Sequence, residues 1–174
     1  MKKPTIDEVQ MYQKSITINF FDSHSLVWEL IKWRTWSQFS HVSITVPEGN
    51  LRSSMGTFMR NNYEATFKWV RQSQDIFEYN EWSELVDTLI IKCTLEQLEK
   101  IWLFLKHSLY APYDFGAIIS MAANNTNFED NSKFFCSELI FKALDFAWVI
   151  RRLKSTRLMS PDDLYLICRE LSED

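Results

Sequence analysis

Apolar and polar residues alternate through Ser15-Ile16-Thr17-Ile18-Asn19-Phe20-Phe21, and the residue types favour extended backbone, so the spacing predicts a strand. Asp22-Ser23-His24-Ser25 offers helix caps, and Leu26, Val27, Leu30 and Ile31 follow at helical spacing up to Trp33-Arg34. Strict alternation resumes at His41–Val46. Val42, Ile44 and Val46 share one face and His41, Ser43 and Thr45 the other. Pro47-Glu48-Gly49-Asn50 has turn composition, and Leu51–Met55 is expected to return as the second strand of a hairpin. Residues 56–75 show no clear period and are expected to be irregular or weakly stranded. A further strand is expected near Ile76–Tyr79, and a stronger one from Val86 to Cys93, where Leu89-Ile90-Ile91 is continuously apolar.

The period then changes to that of helices. Thr94-Leu95-Glu96-Gln97 is a capping-box pattern opening a helix whose apolar face is Leu98, Ile101, Trp102, Leu105 and Leu109. Ala111-Pro112-Tyr113 stops it. A short helix is expected over Asp114–Met121 and an Asn-rich polar loop over Ala122–Lys133. From Cys136, the positions Leu139, Ile140, Ala143, Leu144 and Ala147 recur on one helical face. Ser160-Pro161-Asp162-Asp163 supplies a cap, a proline at the first helical position and first-turn acids for a terminal helix to about Leu171. Strands followed by helices give an α+β class, an antiparallel sheet or half-barrel packed against helices. Residues 1–14 read as a polar leader and 15–174 as one domain.

Composition narrows the functional classes. A net charge of −4 offers no basic excess for nucleic acid. Three glycines in the whole chain exclude a glycine-rich phosphate loop. The N-terminus Met1–Glu8 is not a signal peptide, and no stretch is apolar for long enough to span a membrane, so a cytoplasmic location is expected. Three widely spaced cysteines argue against a disulfide framework and fit a reducing compartment.

Cys136 is the candidate of most interest. The first turn of a helix carries backbone N–H groups without intrahelical acceptors and the positive end of the dipole, and both favour thiolate over thiol. Cys93 and Cys168 sit among apolar residues and read as structural. A cysteine nucleophile needs a base, commonly histidine, and a third group to orient it. Of three histidines, His107 lies off the apolar face of its helix and His24 in a capping region. His41, on the polar face of its strand, is the candidate base. The histidines and cysteines have no zinc-like spacing, so neither metal nor cofactor is expected.

Four segments carry a resemblance: Ser40-His41-Val42-Ser43-Ile44, Ala111-Pro112-Tyr113-Asp114, Phe135-Cys136-Ser137-Glu138-Leu139-Ile140 and Ser160-Pro161-Asp162-Asp163-Leu164-Tyr165. In that order they resemble the NlpC-like papain-fold superfamily, and histidine before cysteine resembles its circularly permuted branch, which includes YiiX-like hydrolases and lecithin:retinol acyltransferase-like enzymes. Phe20–Leu26 with Trp33, Trp36 and Ser40-His41 is similar to a phage- and bacterium-borne subgroup. The resemblance implies a permuted papain-like fold, with Cys136 as nucleophile, His41 as base and Tyr113 as a hydroxyl donor to an oxyanion hole beside the Cys136 amide. It also implies a polar third residue about a dozen positions after the base. That spacing points to Ser53, whereas pairing Val46 with Leu51 puts Ser54 on the His41 face, so Ser54 is the expected third member. Serine is a poor partner for an imidazolium. Glu48, Glu64 or a backbone carbonyl are the alternatives, as is a Cys–His dyad. The expected activity is hydrolysis or acyl transfer at an amide or ester bond of a peptide, isopeptide or lipid acyl substrate, in a phage-encoded setting acting within a host. The rival expectation is a catalytically weak or inactive protein of the same fold acting as a binding module.

Overall fold

The computed structural model describes residues 15–23, 32, 37–52, 58–66, 68–76, 83–114, 133–150 and 159–172. The alternating segments become strands: β1 (Ser15–Ser23), β2 (His41–Arg52), β3 (Phe58–Ala65), β4 (Val70–Ser73) and β5 (Ser83–Lys92). They form one antiparallel sheet in the order β4-β3-β2-β1-β5. Three helices follow among the described residues: α1 (Leu95–His107), α2 (Cys136–Phe146) and α3 (Pro161–Leu171). The class is α+β, as the succession of periods predicts.

Each helix starts where its chemistry dictates. Thr94 accepts from the Gln97 amide while the Gln97 side chain accepts from the Thr94 amide, closing the expected capping box. Ser160 and Asp163 form the same reciprocal pair ahead of Pro161. Ile16, Ile18, Phe20, Val42, Ile44, Val46, Leu89 and Ile91 from one sheet face join Leu98, Ile101, Leu105, Leu139, Ile140, Ala143, Leu144, Leu164 and Cys168 from the helices in one core. Burial of this apolar surface is the main favourable term in the fold.

The opposite face is buried too, and it is polar. Asn19 Nδ2 donates to Ser43 Oγ at 3.2 Å and to Thr45 Oγ1 at 3.0 Å, and Thr45 Oγ1 donates to Asn62 Oδ1 at 3.3 Å. Mutual hydrogen bonding lets these side chains lie out of water. His41 belongs to this face, paired with Phe21 across β1.

Three expectations change. Pro47–Asn50 makes no hairpin: β2 runs on to Arg52 and pairs with β3, where Pro47 faces Arg60 and Arg52 faces Phe58. The register shift between those pairs is a bulge, a place where proline's missing N–H and glycine's flexibility are tolerated within a strand. Residues 56–75, expected to be irregular or weakly stranded, contain two strands, β3 and β4. In β3 the buried Asn61 and Asn62 are adjacent polar residues, which breaks the apolar–polar alternation. In β5 the run Leu89-Ile90-Ile91 does alternate in burial, with Ile90 exposed and its neighbours buried. The expected leader 1–14, the helix over Asp114–Met121 beyond Asp114, the Asn-rich loop and the strand beyond Ile76 lie outside the described residues. So does the helix after Ser23, except Lys32, which is helical and pairs with Asp22 at 2.8 Å. Among the described residues no helix is long and apolar enough to cross a membrane.

Candidate active site

Backbone pairing continues past β4 and brings the second half of the chain back towards β2. Val70 N donates to the Ala111 carbonyl at 2.8 Å, and Trp69 bridges Pro112. Tyr113 in turn bridges Phe134 in parallel, with Asp114 N donating to Phe134 O at 3.1 Å. Two residues later Cys136 opens α2. Phe135, its N-cap, is extended and contributes no side-chain cap, so the helix start is held by packing and by Ser137 Oγ, which donates to the Met159 carbonyl at 2.6 Å. Cys136 is thus a buried thiol in the first turn of a helix, under the positive end of its dipole.

His41, the first residue of β2, is 1% exposed. Its Nε2 lies 2.6 Å from Glu64 Oε2, and Glu64 is equally buried. Register explains the contact. Ile44 pairs with Tyr63, so one further step sets Glu64 beside Ser43, on the His41 face and diagonal to the ring. Glu64 also pairs across the sheet with Arg71, whose Nε donates to Glu64 Oε1 at 3.1 Å. Both carboxylate oxygens therefore have a cationic or ring partner, the condition under which a buried acid is tolerated.

The proton affinity of His41 follows from these neighbours. Burial is the largest single influence and lowers its pKa. Side-chain hydrogen bonding to Cys136 and to Glu64, with the charges of both, outweighs it and lifts the pKa from the usual 6.5 to about 9. The imidazolium is the favoured form at neutral pH. Tyr113, 4% exposed, lies in the same field. Burial first, then the charges on Cys136 and Asp114, push its pKa well above the usual range, so its hydroxyl keeps its proton and can donate it in a hydrogen bond.

The structure thus brings Cys136, His41 and Tyr113 together. Ser54, and Ser53 beside it, lie outside the described residues, as does the side chain of Glu48. The group against the ring is Glu64, one of the alternatives the sequence left open. Arg71 had no role assigned from the sequence, and Asp114 was named only within the Ala111–Asp114 segment. A signal for Arg71 existed: Glu64 and Arg71 are opposite charges seven residues apart on either side of a short connection, the spacing of a cross-strand pair, but it is readable only once both strands are recognised. Burial pushes the thiols of Cys93 and Cys168 up to about 12, and Cys93 Sγ donates to the Ile91 carbonyl at 3.7 Å. His107 is on the surface, with Nδ1 2.8 Å from the Leu103 carbonyl one turn back. His24 is outside the described residues.

No protein-family profile matches the chain, and no curated protein matches it by sequence. Among solved structures, the fold is similar to the crystal structure of the metalloprotein YiiX from Escherichia coli O157:H7, with a TM-score of 0.57, 19% identity, and coverage of 92% of this chain and 86% of that one. That likeness shows a YiiX-like fold. The description of YiiX as a metalloprotein invites a test here. Among the described residues no group of three or more His, Cys, Asp or Glu side chains is arranged to hold a metal ion, and Glu64 already spends both oxygens on His41 and Arg71. The described side chains do not fit such a centre.

Proposed function

We propose that this chain is a cysteine hydrolase or acyltransferase of the permuted, NlpC-like papain fold, acting on an amide or ester bond. The observation that carries the reading is the buried contact of 2.6 Å between His41 Nε2 and Glu64, on a ring whose proton affinity Cys136, at a helix N-terminus, also raises. It supplies the acidic third member that serine could not. The YiiX-like fold and the order histidine before cysteine support the same assignment.

Glu64 occupies Nε2 and is itself held by Arg71, so Nδ1 is the nitrogen that serves the thiol. With the proton lost by Cys136 held on Nδ1, the reactive state is a thiolate–imidazolium pair. The thiolate attacks the substrate carbonyl carbon. The resulting oxyanion is met by the Cys136 N–H and the Tyr113 hydroxyl. Collapse breaks the C–N or C–O bond, and the imidazolium proton goes to the departing amine or alcohol. A water or another acceptor then gives a proton to His41 and attacks the thioester, releasing the acyl product and restoring the thiolate–imidazolium pair. Peptide, isopeptide and lipid acyl groups all present the required carbonyl.

Incubation with p-nitrophenyl acetate followed by mass spectrometry tests the reading. An acetyl group is expected on Cys136, absent from Cys136→Ala and much slower to form in His41→Ala. Acetylation confined to lysines, at equal rates in all three proteins, would sink the proposal.

A further inference from the structure

A cavity of about 780 Å³ lies between the connection leading into β4 and the turn after α1, lined among the described residues by Thr66, Lys68, Trp69, Arg71, Gln72, Leu109 and Tyr110. That volume is in the usual range for small-molecule sites. Its chemistry is one-sided. Lys68 and Arg71 contribute positive charge and no described lining residue is acidic. Gln72 Oε1 accepts from Lys106 Nζ at 2.6 Å, and an ammonium can only donate, so the amide is oriented by its oxygen, with its NH2 as the donor end. Thr66 Oγ1 donates to the Trp69 carbonyl at 3.0 Å, which closes the turn. Lys68, Arg71 and the Gln72 NH2 are the groups of this lining suited to an acceptor.

Leu109 packs against the core, and the other two apolar lining residues are aromatic and exposed. Trp69 is 45% exposed and Tyr110 78% exposed. Tyr110 has a φ of 67°, a left-handed conformation uncommon for an aromatic residue, and its backbone N–H is fixed on the Val70 carbonyl at 2.9 Å. Strained residues of this kind concentrate at ligand clamps. Lys68 lies 5.8 Å from the Trp69 ring, bringing cation and aromatic face together.

We propose that this cavity is a binding site for a small carboxylate carried on an aromatic or apolar body, with Lys68 and the Gln72 amide meeting the anion and Trp69 and Tyr110 the body. Two connections tie it to the thiol site. Arg71 lines the cavity while its Nε holds Glu64, and Trp69 bridges Pro112, the residue before Tyr113. The ligand is either the acidic end of the substrate itself or a separate effector, and the chemistry recognised is the same.

The test is calorimetric titration of the full chain carrying Cys136→Ala, so that binding is read whether or not the thiol chemistry is correct, with 3-phenylpropionate and its neutral amide as probes. Saturable binding of the carboxylate is expected, with the amide at least tenfold weaker. Lys68→Ala and Trp69→Ala, both at exposed positions, should each weaken the carboxylate at least fivefold, and Lys68→Glu should abolish it. Equal binding of acid and amide, no saturable binding at millimolar probe, or an unchanged Kd in the Lys68 variants would overturn the proposal. In the unsubstituted protein, competition with substrate marks a substrate subsite, and a changed kcat at constant KM marks an effector.

Discussion

Every charged neighbour of His41 favours its protonated form, and that has a consequence at the scale of single residues. If the thiolate–imidazolium pair is the reactive state, the rate of Cys136 acylation falls on the alkaline side as His41 loses its proton near pH 9. Glu64→Gln removes the carboxylate that helps hold that proton, so the folded pKa drops and the alkaline limb moves to lower pH. A pH–rate profile of acylation checks it, and an unmoved limb would remove Glu64 from the site. Arg71 acts on His41 only through Glu64. Arg71→Met should therefore lower the rate through a less well-held carboxylate, by less than Glu64→Gln does. Cys136 and His41 could be picked out as candidates because each has its own local signal, a helix start and a polar strand face, whereas Tyr113 became one only through the resemblance. Glu64 was legible only as one acid among several, since what selects it is a register between two strands.

At the scale of elements, α2 matters because its N-terminus carries the thiol. Leu139 is fully buried where α2 enters the core, and Leu139→Ala is expected to cost roughly 2–5 kcal/mol by urea unfolding. The cap of α3 is a smaller lever. Ser160→Ala removes one half of a capping box, with a loss of about 1 kcal/mol expected in the same assay. The three helices and β1, the start of β2 and β5 could be read from the chain because each has one buried apolar face and, for two of the helices, side-chain caps. The continuation of β2 through Pro47–Asn50 could not, because turn composition and a bulge draw on the same residues. Nor could β3, where the polar Asn61 and Asn62 are adjacent, or β4, which is only four residues long.

At the scale of the molecule, the sheet separates an apolar layer under the helices from a buried polar layer that holds His41, Asn19, Ser43, Thr45 and Glu64. A buried group whose proton affinity rises on folding makes stability depend on pH. The folded His41 pKa of about 9 lies above the ordinary 6.5, so the folded state binds the extra proton between those values. Its contribution is fully present below about pH 6.5 and is lost as pH rises through about 9. The melting temperature should decline over that window, and His41→Gln should flatten the decline. The fold's likeness to YiiX fits this architecture, but the function rests on whether the buried thiol is ionised by its neighbours. The most direct measurement is the rate of iodoacetamide alkylation at pH 7, resolved by cysteine through peptide mass spectrometry. Cys136 should react at least tenfold faster than Cys93 and Cys168, whose thiols burial holds near 12, and Glu64→Gln should slow it. Alkylation of Cys136 no faster than of the other two would contradict the account.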